Sequence, residues 1–237
     1  MNLNLVDENF YCSKPAINPH IQDKSSEYSA LAMILHCFPD RALTSLIKYE
    51  HPDFISKDYQ VGLEVTEADN ELHKRVSKEF YKYKHPKENC NIEKNRSIIE
   101  QTGARVIDLP ESFVSILDFP SYGNNLIVRD LKERITKKEN IEYDETKELY
   151  LAIVFFDPLG TDSAELITNT LIDFVDSENT KFKRIYVVTS RFCIKFTTSD
   201  KSIISQSINI LEYHKMRTLG RMTAEGIVDL NSREWIG

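Results

Sequence analysis

Two carboxylates, Asp53 and Glu64, are the strongest candidates for chemistry, because of their spacing within the stretch His51–Glu71. Val61, Leu63 and Val65 alternate with Gly62, Glu64 and Thr66, which is the period of a strand with one apolar and one polar face. The preceding run Pro52-Asp53-Phe54-Ile55 is a second extended segment, since Pro52 lacks an amide hydrogen and suits a strand start. Ser56, Lys57 and Asp58 supply the turn between them. An even loop at Asp58-Tyr59 sets Asp53 directly opposite Glu64, and one at Lys57-Asp58 sets the two diagonally; either way they share a face, about 5–8 Å apart. A three-residue loop would put them on opposite faces. Like charges so close persist where a cation neutralises them or where one of them holds a proton.

The residues just downstream have the opposite charge. Asn70 to Lys84 has the spacing of a helix, with Leu72, Val76, Phe80 and Tyr83 as its buried stripe. From Lys74 to Arg96 there are eight basic side chains against three glutamates. Lys74, Arg75, Lys78 and Lys82 could hold a phosphate backbone, and Tyr81, off the apolar stripe, could stack on a base. The alternative is a solvated helix face. The position of the patch, directly after the carboxylate hairpin, favours nucleic acid.

Several elements must position these residues. Ser25-Ser26-Glu27 has the residues of a helix start, and Tyr28, Leu31, Leu35 and Phe38 follow at helical spacing until Pro39. A second short helix is expected over 42–49. After the basic helix, Arg96 to Gln101 reads as a short helix and Val106-Ile107 as an edge strand. Ile127 to Tyr143 is a longer helix whose Val128, Leu131 and Ile135 face inward and whose Lys132, Lys137 and Lys138 face outward or toward a site. Leu149 to Phe156 is almost wholly apolar, the mark of a strand buried on both faces. A helix over 164–176 and a strand over 183–190 complete a βαβ unit, so the two strands are expected to run parallel. A further strand is expected at 191–197, and a last helix over 203–214.

Composition bounds the function. The chain has 237 residues, 41% hydrophobic, with 12 Phe and 11 Tyr, enough for a substantial core. The expected organisation is an arm over 1–24, one domain over 25–218 and a tail over 219–237. A net charge of -7 argues against a general cationic coat for nucleic acid, though not against a local basic face. Cys12, Cys37, Cys90 and Cys193 form no close pair, which argues against a disulfide framework or an ordinary zinc site. No apolar run is long enough to span a membrane, and the start lacks the character of a signal peptide, so a cytoplasmic protein is expected. There is no G-x-S-x-G, P-loop or G-x-G-x-x-G.

The order helix, carboxylate hairpin, helix, buried strand, helix, strand, with Pro52-Asp53 and Glu64-Val65-Thr66, resembles the PD-(D/E)XK nuclease superfamily. More narrowly, P-D-F-I…V-G-L-E-V-T-E is similar to uncharacterised bacterial members of that group, over residues 25–200. The resemblance implies an α/β fold, a restriction-endonuclease-like mixed sheet flanked by helices. It implies one or two Mg²⁺ or Mn²⁺ ions held by Asp53, Glu64 and the carbonyl of Val65, with Glu27 at the position of a further carboxylate, although Glu27 also suits the first turn of a helix. It implies hydrolysis of DNA, in restriction, phage defence or repair, and allows a homodimer that cuts both strands. One departure stands out. The pattern wants a lysine where this chain has Thr66, and threonine cannot supply the charge. Some members take that lysine from a neighbouring element, for which Lys138, Lys137, Lys78 and Lys74 are the candidates. Without a substitute, the chain would be a non-catalytic fold of this type that binds nucleic acid or a protein.

Overall fold

The structure is a computed structural model that describes residues 19–68, 76, 78–80, 82–83, 91–101, 104–109, 114–118, 124–144, 146–155, 159, 162–176 and 179–230. In chain order the elements are α1 (Pro19–Cys37), β1 (Leu46–Lys48), β2 (Phe54–Ser56), β3 (Val61–Glu67), α2 (Ile92–Glu100), β4 (Arg105–Leu109), β5 (Val114–Asp118), α3 (Asn124–Glu139), β6 (Glu148–Val154), α4 (Asp162–Phe174), β7 (Phe182–Val188), β8 (Phe192–Thr197), β9 (Ser202–Ser207) and α5 (Ile210–Ala224). They fall into two compact units: one from the chain up to Ala68 and from Leu131 onward, the other over Asp69–Asp130.

The larger unit is a mixed seven-stranded sheet, ordered β1-β2-β3-β6-β7-β8-β9, flanked by helices. β1, β2 and β3 form an antiparallel meander. β6 then runs parallel to β3, and β7 parallel to β6, as crossovers through helices require. β8 and β9 return antiparallel. Alternation along the central strands sends Leu63, Val65, Tyr150, Ala152, Tyr186 and Val188 into a core shared with α1 and α5. Leu151, Ile153, Ile185, Val187 and Phe196 point to the opposite face and are buried as well, and α4 packs against β8. With both faces covered, β6 and β7 read as near-continuous apolar runs. α1 and α5 cross closely at Gly220, where a Cβ would lie 2.4 Å from the backbone nitrogen of Ser29.

The same double coverage corrects the expectation for β3. Its alternation predicts one apolar and one polar face, yet Val61 through Val65 are all buried, Glu64 included. β2 on one side and β6 on the other make it an interior strand. Other boundaries also differ. α1 begins at Pro19, so the division drawn between 24 and 25 falls inside a helix. Leu46-Ile47-Lys48 is an edge strand rather than part of a second helix. Ile203 and Ile204 lie on β9, and the last helix starts only at Ile210, so the division at 218/219 falls inside it. A capping box opens it: Asn209 Oδ1 accepts the Glu212 N–H while Glu212 Oε2 accepts the Asn209 N–H.

The smaller unit has its own core of Val76, Ile99, Ala104 and Val106, against which Phe80 and Tyr83 pack. β4 and β5 pair antiparallel in a two-stranded sheet. Among the described residues no helix is long and apolar enough to cross a membrane.

Candidate active site

The hairpin register decides whether Asp53 and Glu64 can act together. Phe54 pairs with Leu63 and Ile55 with Gly62. Continued by one residue, that register sets Asp53 opposite Glu64, as an even loop centred on Asp58-Tyr59 requires. Tyr59 adopts φ 56° in the turn, and Ser56 Oγ accepts the N–H groups of Gln60 and Val61. Asp53 is tied across the pair as well: its Oδ2 accepts the Val65 N–H at 2.8 Å.

α3 brings an ammonium to Glu64. Lys138 Nζ lies 2.5 Å from Glu64 Oε1, with the lysine side chain 16% exposed and the glutamate 3%. Lys138 sits in the last turn of α3, where a cation also complements the helix dipole. Hydrogen bonds around the C-terminal end of α3 fix its placement. The Tyr143 hydroxyl donates to the Lys138 carbonyl at 3.1 Å, Thr180 Oγ1 donates to Glu139 Oε1, and Lys181 Nζ donates to the Ile141 carbonyl. The lysine is 74 residues from Glu64 in sequence, which is why no local motif announces it.

A second lysine was not foreseen. Lys48 on β1 places Nζ 2.7 Å from Glu27 Oε2 and 3.2 Å from Asp53 Oδ1, and it donates to the Asp53 carbonyl at 3.1 Å. The ion pair with Lys48 is what meets Glu27 Oε2, an atom buried from solvent. Glu64 Oε2 is also buried, and has no donor. The signal that could have found Lys48 was its place on a strand edge beside Asp53, hidden while the segment read as helix.

The protonation energetics reflect this crowding. Burial pushes the Glu64 carboxyl above the ordinary glutamate range, and the nearby Asp53 charge adds to this, while Lys138 pulls it back. Burial raises Glu27 to about 7; Lys48 opposes the shift and Asp53 adds to it. Burial works against the charge on Lys48, but Glu27 and Asp53 outweigh it and hold the ammonium above its usual value. The Tyr143 hydroxyl is pushed up by burial and then by the Glu64 and Asp53 charges.

The other candidates fall differently. Thr66 is half-buried on the same face of β3 as Glu64, opposite Ile153. Lys137 is exposed. Lys78 and Lys82 are exposed in the smaller unit, where Lys82 pairs with Glu79 and Arg96 with Glu100 and Asp108. That pairing offsets part of the positive charge counted in the sequence. Lys74, Arg75 and Tyr81 lie outside the described residues.

Among the described residues no three His, Cys, Asp or Glu side chains stand together as a metal site. A hard divalent cation here would rest on the Asp53 and Glu64 carboxylates with a backbone carbonyl, and waters would fill the remaining positions. That donor set is all oxygen, and the buried, undonated Glu64 Oε2 is the atom a cation would satisfy. The chain matches no protein-family model, no curated protein and no solved structure.

Proposed function

We propose that the chain is a divalent-metal-dependent phosphodiesterase of restriction-endonuclease-like fold that hydrolyses DNA in the cytoplasm. The observation that carries this reading is the Lys138 ammonium on Glu64, which supplies from α3 the charge that Thr66 lacks. The antiparallel meander followed by two parallel strands, with helices on the sheet, supports the same reading. Asp53, Glu64 and the Val65 carbonyl would hold Mg²⁺ or Mn²⁺, with Glu27 behind them. The ion, when bound, lowers the pKa of a water and neutralises charge on the scissile phosphate. Asp53 is oriented by the Val65 N–H. Glu64 keeps one oxygen for the ion while Lys138 holds the other. Lys138 can also stabilise negative charge that develops on the phosphate oxygens.

The test is nicking of plasmid DNA in Mn²⁺ or Mg²⁺ by wild type, Asp53→Ala and Lys138→Met, with folding followed by circular dichroism. Both variants should lose activity by about a hundredfold or more while staying folded, the scale of losing a charge-stabilising group. Cleavage by Asp53→Ala at the wild-type rate overturns the assignment.

One observation favours a second reading. Both carboxylates already have ammonium partners, Lys48 on Asp53 and Lys138 on Glu64, so the cluster can neutralise itself without a metal. The chain would then be a non-catalytic fold that binds nucleic acid or a protein. Absence of Mn²⁺ binding at millimolar concentration selects that reading.

A further inference from the structure

Lys48 is fixed more tightly than an exposed strand-edge lysine needs to be. Its ammonium is held between Glu27 Oε2 and Asp53 Oδ1, donates to the Asp53 carbonyl, and lies 5.1 Å from the centre of the Phe54 ring. Three oxygens and an aromatic face thus surround one positive charge, an environment built for a cation. Asp53 divides its two oxygens, Oδ2 toward the β3 backbone and Oδ1 toward Lys48. Glu64, 3% exposed and with Oε2 undonated, stands on the other side of Asp53 in the hairpin register.

Two-metal phosphodiesterases place their ions about 3.5–4 Å apart. Here Asp53 and Glu27 share one cation, and Lys48 fills the place that an ion bridging them would take. We infer that Lys48 is a tethered monovalent cation standing in place of a second divalent ion, so that the site takes one metal ion and not two. This rests on the metal-binding reading above. Lys48 is a positioning residue: it holds Asp53 and Glu27 as a second ion would, without offering a coordination site for water.

The inference is read out by counting bound Mn²⁺, from the electron paramagnetic resonance of the free ion during titration, and needs no activity. Wild type should bind one Mn²⁺ per chain. Lys48→Met should bind two, and the Glu27→Gln/Lys48→Met double variant one again. Lys48→Gln is the second variant if Lys48→Met does not fold by circular dichroism, and it should also bind two. Two ions in wild type, or one in the folded Lys48 variants, overturns the inference and leaves the metal-binding reading standing. No ion in wild type overturns both.

Discussion

Replacing Lys138 by methionine isolates the interaction on which the site depends. The substitution keeps the aliphatic stem and removes only the charge 2.5 Å from Glu64 Oε1. Glu64 would then stand buried beside Asp53 with no cation of its own. Breaking a buried pair by removing one partner costs about 3–5 kcal/mol. The lysine side chain is 16% exposed, so the lower end, about 3 kcal/mol, is expected at pH 8. The cost must also depend on pH, because the stranded carboxylate can take up a proton. Burial already raises the Glu64 pKa from 4.5, and Lys138 is what restrains it. In Lys138→Met the folded chain therefore binds more protons than the unfolded chain above pH 4.5. Stability is fully retained below that value and is lost as pH rises toward the folded pKa, by about 1.4 kcal/mol per pH unit. Urea unfolding followed by circular dichroism at pH 5 and pH 8 should show a small deficit at the first and a large one at the second. Adding Glu64→Gln should remove most of the deficit at pH 8, since a neutral amide needs no counterion. A deficit of equal size at both pH values, or none at pH 8, would refute the argument that Lys138 neutralises Glu64.

Glu27, with its pKa raised to about 7, should titrate with a carboxyl ¹³C midpoint near neutrality. Because the folded value exceeds 4.5, its contribution is complete below that pH and is lost as pH rises through 7, so Glu27→Gln should flatten the stability profile between pH 5 and 8; a midpoint between 4 and 5 would contradict the buried placement. Gly62→Ala would put a Cβ 2.6 Å from Pro52 Cγ, with Leu149 and Thr146 both at 3.2 Å. The proline ring cannot swing away as a flexible side chain would, so Asp53 beside it must shift. A loss of about 1–3 kcal/mol in urea unfolding, with weaker Mn²⁺ binding, is expected, and unchanged values of both would show that the hairpin tolerates the strain.

The parts legible in the sequence are those governed by local chemistry. The alternation over 61–66 and the turn residues at 56–58 announced the hairpin, and of the three loops they allowed, the even loop at Asp58-Tyr59 is observed. The apolar runs that became β6 and β7 announced a buried parallel core. The hidden parts depend on contacts far apart in the chain. Leu46-Ile47-Lys48 is too short to show a period, and it is a strand because β2 pairs with it. Ile203-Ile204 stands a few residues before a helix in sequence, yet it pairs with β8 as β9. The partner of Glu64 comes from the end of a helix that only the crossover to β6 brings near.

The burial of Glu64 bears on the proposed function through its cost in stability. It occupies an interior strand whose neighbours Leu63 and Val65 show the apolar residues such a position ordinarily holds. An apolar residue there would avoid the desolvation of two charges, and buried ion pairs replaced by well-packed apolar residues are often neutral or stabilising. The same holds for Lys48 between Glu27 and Asp53, where two acidic oxygens compete for one ammonium. Three carboxylates and two ammoniums at one end of the meander thus oppose folding locally, while the rest of the sheet favours it. Local conflict of this kind inside an otherwise consistent core is where functional sites are expected. The conflict also has a direction: Glu64 Oε2, buried and without a donor, is the carboxylate oxygen left for a cation to satisfy.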